Sequence, residues 1–135
     1  MVLYTTVQSS NNQISTSLPP DLVAVFAGGT SGIGEYTLKV FAEHAMSPHV
    51  YFIGRSQEAG DRIARECKGI CPKGEFVFLK ADLILMKEVD RVCEEIRSRE
   101  KSVNFLFLTQ GAMTPVVDKK GLGMMARLPG CGSIR

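Results

Sequence analysis

The chain has 135 residues, 44% apolar and 22% charged, with a formal net charge of +2. That length suits one domain with one core, and the composition is ordinary for a globular protein. No apolar run approaches the roughly 20 residues that cross a membrane, and the excess positive charge is confined to one end. From Pro115 onward four basic residues accompany one acid, a net of +3, whereas Met1 to Thr114 carry 12 basic and 13 acidic residues, a net of −1. A nucleic-acid surface on the body of the chain is therefore not expected.

Residues 1–20 begin MVLYTTVQSSNNQISTS, with no basic leader and no apolar h-region, so a cytoplasmic chain is expected rather than a secreted one. The Ser, Thr, Asn and Gln content predicts a flexible arm that ends at Pro19-Pro20. Leu22 to Ala27 (LVAVFA) is a continuous apolar run, the pattern of a strand covered on both faces. From Ile33 to Met46 the apolar residues Ile33, Leu38, Phe41, Ala42, Ala45 and Met46 predict a helix with one buried stripe, stopped at Ser47-Pro48. His49 to Gly54 (HVYFIG) reads as a second strand. Ser56 is placed to cap a helix in which Ala59, Ile63 and Cys67 recur every four residues.

After the breaker-rich loop Lys68 to Gly74, a third strand is predicted at Glu75 to Leu79. Leu85, Val89, Val92 and Ile96 then mark a helix whose opposite face, with Lys87, Asp90, Arg91, Glu94 and Glu95, reads as solvated. Val103 to Leu108 (VNFLFL) is the fourth strand. The four cysteines, Cys67, Cys71, Cys93 and Cys131, include no Cys-x-x-Cys pair, and His44 and His49 lie in other elements. They read as free thiols in a reducing compartment, with no metal site.

This alternation predicts an α/β fold over residues 21–114: a Rossmann-like, doubly wound parallel sheet, incomplete, of about four strands and three helices. Right-handed crossovers bring the first and fourth strands side by side, and nucleotides bind in the crevice at their carboxyl ends. Residues 115–135, with two prolines and four glycines, show no sustained period and are expected to be irregular.

Between the first strand and the first core helix lies Gly28-x-x-x-Gly32-x-Gly34. A strand-to-helix turn aims backbone N–H groups at one point, and the helix dipole adds partial positive charge there, which suits a pyrophosphate. Glycines permit the tight turn and clear side chains from the phosphates, and Thr30 and Ser31 can add hydroxyl donors.

The run Ala27-Gly28-Gly29-Thr30-Ser31-Gly32-Ile33-Gly34 resembles the phosphate loop of the short-chain dehydrogenases/reductases, Thr-Gly-x-x-x-Gly-Ile-Gly, with Ala for the first Thr. Two further motifs stand at the matching strand ends. Asp82-Leu83 follows the third strand, where the resemblance implies that an Asp and the next backbone N–H hold adenine. Gln110-Gly111-Ala112 follows the fourth, in place of the Asn-Ala-Gly that frames the adenine ribose, and a close backbone approach is expected at Gly111. At the end of the second strand, Ile53-Gly54-Arg55-Ser56 has no acid to receive the ribose hydroxyls. Arg55, with the Ser56 hydroxyl, favours a 2′-phosphate and hence NADP(H) over NAD.

The same resemblance implies hydride transfer between nicotinamide and a carbonyl or alcohol, using a Ser, a Tyr and a Lys four residues after the Tyr. These belong to a fifth strand and the helix after it. The tyrosines here are Tyr4, Tyr36 and Tyr51. Tyr36 with Lys39 is spaced wrongly, and Tyr51 with Arg55 lies within the second strand, so no catalytic residue is assigned. The chain reads as the front half of a dehydrogenase, with VNFLFL left as a sheet edge and a frameshift, retained intron or gene-boundary break expected near Met113. Two functions stand: an NADP(H)-dependent oxidoreductase present as an incomplete copy, or a non-catalytic dinucleotide-binding module or nonfunctional fragment. The implied partner is the dinucleotide, with a small carbonyl or alcohol substrate for a complete version only.

Overall fold

A computed structural model of the chain describes residues 1–111. The expected irregular tail, Cys131, Ala112 and the expected break near Met113 lie outside the described residues. The sheet is built from β1 (Val23–Ala27), β2 (His49–Gly54), β3 (Glu75–Lys80) and β4 (Phe105–Leu108). All pairings are parallel and the order is β3-β2-β1-β4. The first and fourth strands are neighbours, as the crossover argument requires, and the sheet is the Rossmann-like doubly wound one that the sequence predicts.

The connecting helices are α3 (Gly32–His44), α4 (Gln57–Ile70) and α5 (Met86–Arg99). Strand alternation decides which face each covers. Ala24, Phe26, Val50 and Phe52 point to one side, where Leu38 and Ala42 of α3 and Ile63 and Cys67 of α4 complete a core. Val23, Val25, Ala27, Tyr51 and Ile53 point to the other, against Val92 and Ile96 of α5. The winding therefore reverses after β3, which makes the gap between β1 and β4 a topological switch point. Phe26 and Phe52 are fully buried, and each contributes about 1.5–3 kcal/mol of burial free energy.

Two predicted apolar positions of α3 are not in the core: Ile33 and Met46 are exposed, and the helix stops at His44. Ser47, at φ 44°, makes the left-handed turn before Pro48. Ser56 caps α4 as predicted, accepting a hydrogen bond from the Ala59 N–H at 3.3 Å.

The segment read from composition as a loose arm holds two short helices, α1 (Tyr4–Asn12) and α2 (Ile14–Ser17), none of whose residues is buried. No Gly or Pro interrupts residues 4–17, so local hydrogen bonding can proceed. The apolar periodicity that announces a packed helix is missing.

Candidate functional site

The inter-strand hydrogen bonds continue past the strand ends and bring four loops to one edge. The Gly28 N–H donates to the Ile53 carbonyl at 3.1 Å, Ala81 N–H to Gly54 O at 2.9 Å, and Thr109 N–H to Ala27 O at 2.9 Å. The glycine turn, Arg55, Asp82 and Gln110 thus share the carboxyl edge of the sheet.

Each glycine of the turn has a distinct cause. Gly28 and Gly32 have φ of 90° and 54°, the left-handed region that other residues rarely adopt. A Cβ on Gly28 would meet Gln110 N at 2.9 Å and the Thr109 carbonyl carbon at 3.0 Å. A Cβ on Gly34 would run into the Gly28 carbonyl and lie 2.8 Å from Thr109 Oγ1. Gly34 therefore seats α3 on the turn, and Thr109 backs both glycines. Among the described residues, Thr109 and Gln110 supply the backbone that closes on the turn. Nothing among the described residues lies within 4 Å of a Cβ on Gly111.

The first intrahelical bond of α3 runs from Glu35 N–H to Ser31 O, 3.3 Å. The N–H groups of Gly32, Ile33 and Gly34 therefore precede the helical ladder and have no intrahelical acceptor. Ser31 is the N-cap residue, extended and exposed, and its hydroxyl makes no capping bond. Thr30 is turned toward β2, its side chain filling the space that a Cβ on Gly54 would need. Such a turn can hold an anion through backbone donors.

Arg55 and Ser56 are exposed beyond β2. Arg55 makes no hydrogen bond or ion pair among the described residues. With Lys80, Ala81, Asp82, Leu85 and Glu88 it lines a concavity of about 420 Å³. Asp82 is half-buried, and its Oδ1 accepts from the Ile84 N–H at 3.2 Å. The half-buried Leu83 side chain packs against the core cluster that includes Val92 and Ile96 of α5.

Neither tyrosine pairing forms a proton-transfer pair. Tyr36 is exposed, and Lys39 is held by Glu35 and Glu66, both at 2.6 Å. The buried Tyr51 phenol donates to Glu100 at 2.8 Å, and the same carboxylate lies 3.3 Å from His49 at the amino end of β2. Burial, and then the Glu100 carboxylate, push the Tyr51 hydroxyl up to about 12. Burial likewise pushes the Cys67 thiol up to about 11, which suits an inert core thiol. Among the described residues no three His, Cys, Asp or Glu side chains are grouped to hold a metal ion, and no helix is long and apolar enough to cross a membrane.

Two residues of this region, Thr109 and Arg91, and one at the opposite, amino edge of the sheet, Asn104, have no motif in the sequence. Thr109 is an ordinary strand-end residue whose hydroxyl lies 3.4 Å from the carbonyls of both Ala27 and Gly28. Asn104 accepts from the Val23 N–H at 2.9 Å and so ties β4 to β1. Arg91, assigned to the solvated face of α5, reaches back to the end of β3 and donates to the Lys80 carbonyl at 2.7 Å.

Comparison with known proteins accords with this arrangement. The family profile described as short chain dehydrogenase matches residues 22–122. An oxidoreductase of Emericella nidulans is 41% identical over 114 residues, which cover 84% of this chain and 34% of that protein. The short-chain dehydrogenase/reductase SAT2 of Stachybotrys chartarum is 38% identical over 89 residues, 62% of this chain and 25% of its own length. Among solved structures, L-sorbose reductase of Gluconobacter frateurii, complexed with NADPH and L-sorbose, superposes with a TM-score of 0.64 at 25% identity. The match covers 71% of this chain and 35% of that one. The chain spans about a third of the length of the curated relatives it matches. The matched residues include the glycine turn, the four parallel strands and the switch point between β1 and β4, and the chain belongs to the short-chain dehydrogenase/reductase family of oxidoreductases.

Proposed function

We propose that this chain is the NADP(H)-holding part of a short-chain dehydrogenase/reductase that moves hydride between nicotinamide and a carbonyl or alcohol. The observation that carries the reading is the turn at Gly28, Gly32 and Gly34, closed against Thr109 and Gln110 at the switch point. A pyrophosphate fits there. The N–H groups of Gly32, Ile33 and Gly34 supply donors, the Ser31 hydroxyl adds another, and Gly32, whose added Cβ would stand in open space, leaves no side chain in the way. Arg55 and Ser56 take the 2′-phosphate, Asp82 and the Leu83 N–H hold adenine, and Gln110, Gly111 and Ala112 frame its ribose. The L-sorbose reductase structure, a complex with NADPH, supports NADP(H) as the cofactor.

The dinucleotide, when bound, supplies the hydride; the residues of this chain bind and orient it. The 135 residues contain no Tyr-x-x-x-Lys, so the chain by itself binds nucleotide without turnover. Steady NADPH oxidation by the purified chain with a panel of ketones and aldehydes would overturn that statement. For the cofactor choice, Arg55→Ala weakens NADPH by about tenfold, the loss of one charge-assisted contact, and leaves NADH nearly unchanged. A titration in which both nucleotides weaken equally, or neither does, removes Arg55 from the 2′-phosphate site.

The second reading, a non-catalytic dinucleotide-binding module, rests only on these 135 residues holding no Tyr-x-x-x-Lys. It shares the binding residues and differs from the first in the complete protein: a longer version of the module reading shows no turnover.

A further inference from the structure

The loop that follows β3 carries the Asp82-Leu83 pair, and one guanidinium holds both of its ends. Arg91 Nη2 donates to the Lys80 carbonyl at 2.7 Å, at the entry to the loop. The same nitrogen donates to Glu88 Oε2 at 2.8 Å, in the first turn of α5 just past the exit. Nε adds a second bond to Glu88 at 3.3 Å, and Nη1 lies 3.6 Å from Glu95. Between the clamped points the loop is short and internally bonded. The Asp82 carboxylate accepts from the Ile84 N–H at 3.2 Å, and its carbonyl accepts from the Leu85 N–H at 3.1 Å. The Ala81 N–H is fixed to β2 through Gly54.

We infer that Arg91 is a positioning residue for adenine recognition. By tying Lys80 to Glu88 it fixes the path of residues 81–85 and so the direction of the Asp82 carboxylate. The clamp also neutralises Glu88, which lines the same concavity as Arg55 and Asp82. An unpaired Glu88 there would repel a phosphate-bearing ligand. A planar fork suits the task, because the two Nη2 hydrogens and the Nε hydrogen lie in one rigid plane that fixes the carbonyl and the carboxylate relative to each other, whereas an ammonium's donors rotate freely. The inference rests on the proposed role of Asp82 and Leu83 in holding adenine, and it adds the residue that aims them.

The test reads base preference rather than affinity alone. Adenine offers an amino group to a carboxylate, whereas hypoxanthine presents a carbonyl oxygen at the same position. The full chain is titrated calorimetrically with NADP⁺ and with its hypoxanthine analogue, and thermal unfolding is recorded for every variant. The wild-type chain prefers NADP⁺ by about tenfold, the worth of one hydrogen bond to a charged group. Arg91→Ala brings the preference to about twofold or less, and Arg91→Lys, which keeps one donor nitrogen in place of the planar fork, falls between. A variant that loses thermal stability but keeps the wild-type preference shows a merely structural Arg91 and overturns the inference. Asp82→Ala separates the two ideas. If it leaves the preference intact, the adenine reading fails and the inference with it. If it abolishes the preference and both Arg91 variants do not change it, only the inference fails.

Discussion

A single added methyl group is the sharpest probe of the glycine turn. A Cβ at Gly34 would collide with the Gly28 carbonyl and crowd the Thr109 hydroxyl, both parts of the rigid junction between β1 and β4. The clash is with backbone, so it cannot be relieved by a rotamer change. Gly34→Ala is expected to destabilise the chain by about 2–3 kcal/mol, the usual range for overpacking a close contact, and chemical denaturation measures it. Gly32→Ala is the control. Nothing lies within 4 Å of its added methyl, and its cost comes from φ of 54° alone, about 1 kcal/mol. At this scale the sequence announces residues whose chemistry is fixed by type. Glycines at the turn, Arg55 at a strand end and Ser56 before a helix were all legible. Thr109, Asn104 and Arg91 were not, because each acts through a partner 11 to 82 positions away. No local pattern encodes such a partner.

Helices α3 and α4 are joined by four charges that the sequence scatters over 32 positions. Glu35 accepts from Lys39 at 2.6 Å and from Arg62 at 3.0 and 3.1 Å, and Glu66 takes Lys39 at 2.6 Å and Arg62 at 3.0 Å. The Arg62 bond, followed by that of Lys39, holds the Glu35 carboxyl down to about 2, and Glu66 is lowered by the same two cations. A carboxyl depressed in the folded state stabilises above its unfolded value near 4.5, and that stability is lost as pH falls toward 2. The midpoint of urea unfolding should therefore drop through this window, and Glu35→Gln should flatten the drop while lowering the midpoint at pH 7. Equal slopes for the two proteins would remove the network from acid stability. The strands and core helices themselves were readable because their apolar residues recur with the period of the element. The register that sets Glu35 opposite Arg62 comes from the crossover geometry. Helices α1 and α2, which bury nothing, left no such periodic trace.

At the scale of the whole sheet the two edges differ. Strand β3 ends in charges, Glu75 and Lys80, and is overlaid by α4, whose Gly60 lets the helix sit against Phe78. Strand β4 carries no charge from Val103 to Gly111, and among the described residues its outer edge is unpaired. Leu106 and Leu108 are each 59% exposed on one face, and Phe105, partly exposed, stacks with Phe41 and Phe107 on the other. An uncharged apolar edge with unpaired backbone groups favours pairing with another strand, and nothing in its own side chains opposes that. The sequence makes this edge legible, since the order of four strands around one reversal leaves β4 outermost among the described strands. The 135-residue polypeptide is therefore expected to self-associate as concentration rises, with an apparent size in sedimentation velocity that grows over the micromolar range. Leu106→Lys places a charge on the exposed face of the strand and leaves its partner Val25 in β1 covered by α5. It should return the chain toward a monomer without loss of the far-ultraviolet circular dichroism signal. If the wild-type chain sediments as a monomer at every concentration, or if Leu106→Lys associates as readily, β4 is not the contact.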